Sequence, residues 1–226
     1  MSKNLVKRVF TSLLLILILF VCLNFNKYLW LLLIITASII CFFEFNNIAK
    51  KIWKRKKTII YLSNILSSIF LIFVIFSSYE LYTSGSKLDI IFILLVCIFS
   101  DIGGYVVGKL VGGKKLTKIS PKKTISGSIG SFIFSLLPII MFLILQEYTK
   151  DASYKMQFSF INIIFLTLFL SFVCQVGDLI ISFFKRKAKI KDTGSLLPGH
   201  GGLLDRIDGL IFVLPISMIV LKIFKI

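Results

Sequence analysis

Apolar residues dominate seven stretches of the chain, and short polar segments separate them. The stretches cover about residues 9–25, 28–48, 59–79, 88–110, 127–146, 158–183 and 207–224. Each approaches the roughly 20 apolar residues that a helix needs to cross the hydrocarbon core of a bilayer. Hydrophobic residues make up 57% of the 226-residue chain, which exceeds the usage of soluble domains. We therefore predict an all-α, polytopic integral membrane protein with about seven transmembrane helices.

Several residues within these stretches have a packing explanation. The four cysteines show no metal-ligand spacing, and they are Cys22, Cys41, Cys97 and Cys174. We interpret them as core residues rather than as a disulfide or a zinc site. Gln175 lies within the sixth stretch, and hydrogen bonding between helices explains a polar side chain there.

The distribution of charge predicts the orientation of the helices. The net charge is +17, from 27 basic and 10 acidic residues. If the first stretch is a retained helix rather than a signal peptide and starts in the cytoplasm, 21 basic residues face the cytoplasm and 6 face outside. Because cytoplasmic loops are enriched in Lys and Arg, the N-terminus is expected inside and the C-terminus outside. Charge confined to such loops favours anionic headgroups and phosphate-bearing substrates as partners over nucleic acid.

Acidic residues inside apolar stretches need a reason, because each costs on the order of 3 kcal/mol on insertion scales. Asp101 interrupts the fourth stretch, and Tyr105 and Lys109 follow on the same helical face. Asp178 interrupts the sixth stretch at the head of a similar polar stripe. Glu44 lies near the end of the second stretch, and we leave open whether it has a functional role or only pairs with neighbouring lysines or marks the helix end.

Segment 182–208 holds the densest polar chemistry. Its basic residues, which suit phosphate oxygens, include Lys185, Arg186, Lys191 and Arg206. Its hard oxygen donors, which suit magnesium, are Asp192, Asp205 and Asp208. Its glycines, which let backbone approach a ligand, include Gly194, Gly199, Gly201 and Gly202. The single histidine, His200, either takes part in ligand binding or catalysis or braces the turn. This segment reads as an active site at a membrane surface.

A second polar segment lies between the fourth and fifth stretches. Hydroxyls and cations precede a predicted helix start there, and they are Ser120, Lys122, Lys123 and Thr124, with Gly127 following. Helix N-termini bind anions through free N–H groups and a partial positive charge. We predict that Lys122 and Lys123 contact phosphate. The glycine spacing of a Walker A loop is missing.

Together these residues resemble the phosphatidate cytidylyltransferase (CDP-diacylglycerol synthase) family. The resembling run comprises Ser182, Lys185, Arg186, Lys191, Asp192, Gly194, Pro198, Gly199, His200, Gly201, Gly202, Asp205, Arg206 and Asp208. Upstream, the resemblance extends to Asp101, Tyr105, Gly108 and the Ser120 to Gly127 region. The resemblance covers about residues 100 to 210, whereas the N-terminal third resembles the family only in its general character.

The resemblance implies a magnesium-dependent transfer of a cytidylyl group from CTP to phosphatidate. The products would be CDP-diacylglycerol, for phospholipid biosynthesis, and pyrophosphate. It implies a multi-pass protein of the bacterial cytoplasmic membrane with its active site facing the cytoplasm. The partners would be CTP, phosphatidate and membrane lipids, without nucleic acid. The number of magnesium ions and the formation of a homodimer are left open.

The resemblance also assigns roles. Residues 1–85 would form three N-terminal spans, and residues 86–226 a catalytic transmembrane domain with phosphate-binding loops at 109–127 and 184–206. The expected catalytic residues are Asp178, Lys185, Arg186, Lys191, Asp192, His200 and Arg206. The expected substrate-binding residues are Asp101, Tyr105, Ser120, Lys122, Lys123, Thr124, Gly127, Ser182, Gly199, Gly201 and Gly202. The expected metal ligands are Asp178, Asp205 and Asp208, with Asp192 and Asp101 as second candidates.

Three other functions share some of these features. A transporter or channel places its charges near the midplane between repeated halves, whereas these charges gather at one face and no repeat is visible. A CTP-dependent lipid-alcohol kinase shares the membrane, the nucleotide and a lipid, but it must activate a hydroxyl. A cytidylyltransferase for an ether lipid would use the same mechanism.

Overall fold

The computed structural model describes residues 3–84, 87–149, 159–199 and 201–223, and these ranges contain helices and connecting segments without strands. The helices are α1 (Lys3–Phe25), α2 (Lys27–Trp53), α3 (Lys57–Ser84), α4 (Lys87–Leu110), α5 (Ile125–Ser135), α6 (Leu137–Thr149), α7 (Phe160–Lys187), α8 (Leu204–Ile207) and α9 (Leu210–Ile223). The all-α prediction is confirmed for this part of the chain.

Five helical segments in the described ranges are long and apolar enough to cross a membrane. They are α2, α3, α4, the combined α5–α6 segment Ile125–Ile144, and α7. The apolar parts of α1 and α9, Phe10–Phe25 and Leu210–Ile223, are shorter. Many large apolar side chains lie exposed on the helix surfaces, as lipid-facing residues do. The multi-pass prediction is therefore supported, while the count of seven spans and their orientation stay predictions.

Two predicted spans are interrupted. The fifth apolar stretch divides at Leu136, whose N–H donates to the carbonyl of Ile133 at the end of α5. Pro138 then sits in the first turn of α6, where its missing N–H is tolerated but would break a continuous helix. The last stretch begins with the single turn α8, and α9 starts only at Leu210.

Glycines bring α4 and α5 into backbone contact. A Cβ on Gly103 would lie 2.4 Å from the carbonyl oxygen of Gly130, and one on Gly104 would lie 2.6 Å from Oγ of Ser131. A Cβ on Gly127 would meet the carbonyl oxygen of Gly104 at 2.7 Å. Small residues permit this approach between membrane helices. The seam, defined by these glycines, fixes the polar face of α4 beside the N-terminus of α5.

The N-terminal helices share the core with the rest of the chain. Nε1 of Trp30 in α2 donates to Oγ of Ser78 in α3 over 3.0 Å. The rings of Phe70 in α3 and Phe212 in α9 pack with centroids 5.1 Å apart. Cys41, Cys97 and Cys174 are buried, as the packing interpretation predicts. The division near residue 85 falls beside residues outside the described ranges and stays a prediction.

Candidate active site

A polar cavity of about 270 Å³ lies between α4, α5, α7 and the segment that precedes α5. It is lined by Asp101, Gly104, Tyr105, Leu116, Lys122, Lys123, Thr124, Gly127, Ser128, Ser131, Gln175 and Asp178. The predicted residues among them are Asp101, Tyr105, Lys122, Lys123, Thr124, Gly127 and Asp178. The cavity therefore joins acids from two helices to the lysine pair of a third segment.

The start of α5 positions the lysine pair. Thr124 is the N-cap, and its Oγ1 accepts from the N–H of Gly127 over 3.0 Å. The N–H of Lys123 donates to the carbonyl of Ser120 over 3.0 Å, which closes a tight turn around Lys122. Ser120 thus shapes this turn and does not line the cavity. The partial positive charge of the helix N-terminus and two lysines lie together, an arrangement that favours anions.

Asp178 joins the lysine pair to α7. Its Oδ2 lies 2.5 Å from Nζ of Lys123, and its Oδ1 accepts from Oγ of Ser182 over 3.1 Å. Ser182 is buried and orients this carboxylate rather than lining the cavity. Gln175, one turn earlier, accepts from Oγ of Ser128 in α5 over 2.5 Å, which confirms the predicted bond between helices.

Asp208 brings a further carboxylate toward the same region. Its carbonyl oxygen would lie 3.0 Å from a Cβ on Gly177, the chain neighbour of Asp178. Its Oδ1 accepts from the N–H of Gly209 over 2.9 Å. Asp101 and Asp178 line the cavity and Asp208 adjoins Gly177, so a cation in this region would reduce the repulsion between these acids.

Asp205 accepts from protein donors on both of its carboxylate oxygens. Its Oδ1 accepts from Nζ of Lys185 over 2.8 Å, and its Oδ2 accepts from the N–H groups of Thr193 and Gly202 over 2.7 and 3.1 Å. Burial alone would raise the pKa of Asp205, but these hydrogen bonds and Lys185 outweigh it and lower the pKa. Asp205 thus organises the 188–203 segment.

The predicted metal ligands Asp178, Asp205 and Asp208 stay a prediction. In the described ranges no three Asp, Glu, His or Cys side chains are arranged around a common metal position. Both oxygens of Asp205 accept from protein donors, and so do both oxygens of Asp178, from Lys123 and Ser182. Asp101, a second candidate from the sequence, lines the cavity together with Asp178, whereas Asp205 does not.

The glycine-rich turn behaves as its composition predicts. Gly199 and Gly201 have φ of 77° and 88°, in the left-handed region that favours glycine. Leu197 and Gly201 exchange two backbone hydrogen bonds around this turn. His200 lies outside the described residues. The remaining predicted residues of this segment, none of which lines the cavity, are exposed: Arg186, Lys191, Asp192 and Arg206.

Glu44 is a further residue of this region, and the sequence did not connect it to the site. It is only 6% exposed, and its carboxylate accepts from Oγ1 of Thr193 over 2.6 Å. It also accepts from the N–H groups of Leu203 and Leu204, each over 2.9 Å. Glu44 therefore contacts segment 188–203 and does not only pair with neighbouring lysines. The only signal in the sequence was the cost of a carboxylate inside an apolar stretch.

Fold and site together define a polytopic helical membrane protein that gathers carboxylates and lysines around a cavity suited to phosphates. The family model of the cytidylyltransferase family matches residues 61–224, and the chain belongs to this family. The resemblance seen in the sequence is thereby confirmed.

Similar proteins carry a more specific name. The chain is 40% identical over 140 residues to the phosphatidate cytidylyltransferase of Bacillus subtilis (strain 168), which covers 61% of this chain and 49% of that protein. It is 41% identical over 133 residues to the protein of the same name from Staphylococcus haemolyticus (strain JCSC1435), covering 58% and 48%. The Staphylococcus aureus (strain COL) protein of that name is 40% identical over 133 residues, with the same coverage. The chain thus spans about half the length of these curated relatives.

Proposed function

We propose that this protein transfers a cytidylyl group from CTP to phosphatidate, giving CDP-diacylglycerol and pyrophosphate for phospholipid biosynthesis. The observation that carries the proposal is the cavity, in which Lys122, Lys123, Asp101 and Asp178 meet in a chain of the cytidylyltransferase family. The shared name of the relatives from Bacillus and Staphylococcus supports phosphatidate as the acceptor.

The chain's own residues suit the charge problem of this reaction. A phosphate oxygen of phosphatidate attacks the α-phosphorus of CTP, the bond between the α- and β-phosphates breaks, and pyrophosphate leaves. The attacking group is already anionic near neutral pH, so no general base is needed. The main obstacle is repulsion between two polyanions, and fixed cations reduce it by positioning and electrostatics. Lys122 and Lys123 supply such cations, and the N-terminus of α5 adds a partial positive charge.

The carboxylates fit a magnesium ion by their chemistry. Asp101, Asp178 and Asp208 are hard oxygen donors that lie in one region of the site. The described residues hold no preformed site of three acids, so these side chains would have to turn toward a common ion when it binds. Asp205 instead holds Lys185 and the loop. When bound, the ion would supply charge neutralisation at the phosphate oxygens. A phosphate that binds Lys123 would replace Asp178 as its partner, which frees Oδ2 of Asp178.

The membrane setting is part of the proposal. The excess of basic residues in the segments that include residues 50–57, 109–123 and 185–206 supports a cytoplasmic site. Sequence relatives from bacteria support a bacterial cytoplasmic membrane. CTP and magnesium are both available on that side.

Labelled CTP tests the reaction directly. The purified full chain is incubated with magnesium and vesicles that contain phosphatidate, using CTP labelled at either the α- or the γ-phosphate. We expect lipid-soluble label only from the α-phosphate, because cytidylyl transfer retains that phosphorus. Label from the γ-phosphate would identify a kinase instead, and a lipid fraction without label from either position would contradict the proposal.

A further inference from the structure

Glu44 supplies hydrogen-bond acceptors that segment 188–203 and α8 lack by themselves. Leu203 is the N-cap of α8 and has no side-chain capping bond. The N–H groups of Leu203 and Leu204 instead donate to Oε1 and Oε2 of Glu44, which comes from α2. Free N–H groups at a helix start require such an acceptor when they are buried. Glu44, which lies 159 positions away from Leu203 in the chain, therefore takes the place of a local capping side chain.

The Glu44 carboxylate is closely packed against segment 188–203, so larger side chains would not fit beside it. A Cβ on Gly194 would lie 2.7 Å from Oε1 of Glu44, and a Cβ on Gly202 would lie 2.5 Å from Oε2. Thr193, only 6% exposed, places its hydroxyl 2.6 Å from Glu44 and 3.1 Å from Asp205. Two glycines and a buried hydroxyl thus form a socket for the Glu44 carboxylate, which we define as the Glu44 socket (Thr193, Gly194, Gly202, Leu203 and Leu204).

The Glu44 socket is continuous with residues assigned to the reaction. Asp205 binds the N–H of Thr193 on one oxygen and Lys185 on the other. Lys191 and Asp192 immediately precede Thr193 in the chain. Displacement of Thr193 would therefore move the predicted phosphate ligands with it.

From this geometry we propose that Glu44 is a positioning residue of the active site, which holds the Glu44 socket so that Lys185 and Lys191 are presented to the phosphates. The inference rests on the proposed function for its chemical meaning. Glu44 lies before residue 61, where the family match begins. The helix α2 is then part of the catalytic unit and not only a membrane anchor.

Hydrogen–deuterium exchange tests the holding role independently of activity. The full chain in bilayers is compared as wild type and as Glu44→Gln, which keeps the side-chain volume and removes the charge. We expect backbone amides in 193–206 to exchange about tenfold faster or more, since hydrogen bonds to charged acceptors are the stronger ones. The matched control is Glu80→Gln, which removes the exposed ion pair between Glu80 and Lys222, 2.7 Å apart, and should leave 193–206 unchanged.

Thr193→Val provides a second variant if Glu44→Gln fails to accumulate in the membrane. It removes the hydroxyl bond to Glu44 and keeps the two backbone contacts, so a smaller increase in exchange is expected in the same region. Unchanged exchange in both variants, or an equal increase in Glu80→Gln, would overturn the proposal.

Steady-state kinetics separate positioning from a loss of folded protein. Loss of folded protein lowers the maximal rate and leaves KM unchanged, whereas a displaced phosphate site raises KM for CTP or phosphatidate. We expect KM to rise about tenfold in Glu44→Gln, and an unchanged KM would refute the positioning role. A wild-type protein that forms no CDP-lipid would overturn the proposed function, while the exchange result would still decide whether Glu44 holds the socket.

Discussion

At the scale of single residues, the four carboxylates near the cavity differ in their partners. Asp205 is saturated by Lys185, Thr193 and Gly202, whereas Asp208 is half-buried and accepts from its neighbour Gly209. A carboxylate saturated with donors is stabilised as an anion by the protein, while clustered carboxylates need an added cation. Asp205 and Asp208 are three positions apart, yet we expect neutralisation of each to cause a different defect.

Asp208→Asn is expected to abolish turnover with little effect on folding. The substitution removes one carboxylate of the proposed metal site, so it weakens metal binding. We expect kcat to fall at least about a hundredfold, as for loss of one electrostatic contact in a transition state. The measurement is CDP-lipid formation at saturating CTP, with the thermal unfolding midpoint in parallel. Wild-type activity would remove Asp208 from the site.

Asp205→Asn should reduce stability as well as activity. The side chain loses its charge-assisted bond to Lys185, and its two oxygens can no longer both act as acceptors of the same strength. Breaking such a partly buried pair costs on the order of 3 kcal/mol when one charge is left without its partner. A lowered unfolding midpoint in detergent checks this, and an unchanged midpoint with lost activity would instead favour the metal role predicted from the sequence.

Lys123→Ala should raise KM for a phosphate-bearing substrate more than it changes folding. Lys123 lines the cavity and pairs with Asp178, so its loss removes an anion contact. We expect KM to increase about tenfold, since a hydrogen bond to a charged group contributes roughly 1.5 to 3 kcal/mol. Lys56→Ala is the matched control, because Lys56 is exposed in the segment between α2 and α3. An equal effect of both substitutions would show that only general surface charge matters.

At the scale of elements, the sequence predicted the helices better than their interruptions. The apolar stretches coincide with α1 to α7 and α9 because burial in lipid demands long apolar helices. The break before Pro138 was missed because hydropathy does not respond to a missing N–H. The late start of α9 was missed because the separate turn α8 before it is stabilised by Glu44 from α2, not by its own sequence.

Gly103→Val should separate α4 from α5 and destabilise the protein. A side chain there would overlap the carbonyl of Gly130 and the Cβ of Phe134, at 2.4 and 2.6 Å from the added carbon. Overpacking lowers the free energy of unfolding by about 1–3 kcal/mol, so the unfolding midpoint should fall. The enzymatic activity should fall as well, because the cavity lies beside this seam. Ile102→Val is the control on an exposed face of α4 and should leave both unchanged. A Gly103→Val protein as stable as the control would mean that the seam is not tightly packed.

At the scale of the whole molecule, the candidate site joins distant parts of the chain. The cavity residues were largely predictable because the lysine pair, Asp101 and Asp178 each stand out locally from an apolar background. The contact between Glu44 and Thr193 was not, since 149 positions separate them and a lone carboxylate gives the same signal for pairing, helix ending or tertiary contact. Long-range partners of this kind are fixed by packing rather than by local pattern.

The orientation of the whole chain is tested by reporter fusions. A reporter joined after Ile226 should be active only on the non-cytoplasmic side, because seven alternating spans from a cytoplasmic start end outside. A reporter inserted next to Lys56 should be active in the cytoplasm. Activity of the Ile226 fusion in the cytoplasm would mean that the number of spans is even.

The glycine seam between α4 and α5 also restricts how a lipid reaches the cavity. Because the backbones of α4 and α5 are in contact, an acyl chain cannot pass between these two helices. We therefore expect a bilayer substrate to bring its headgroup to the cavity from a side other than this seam. Differences in the length or unsaturation of its acyl chains would then not be sensed between α4 and α5.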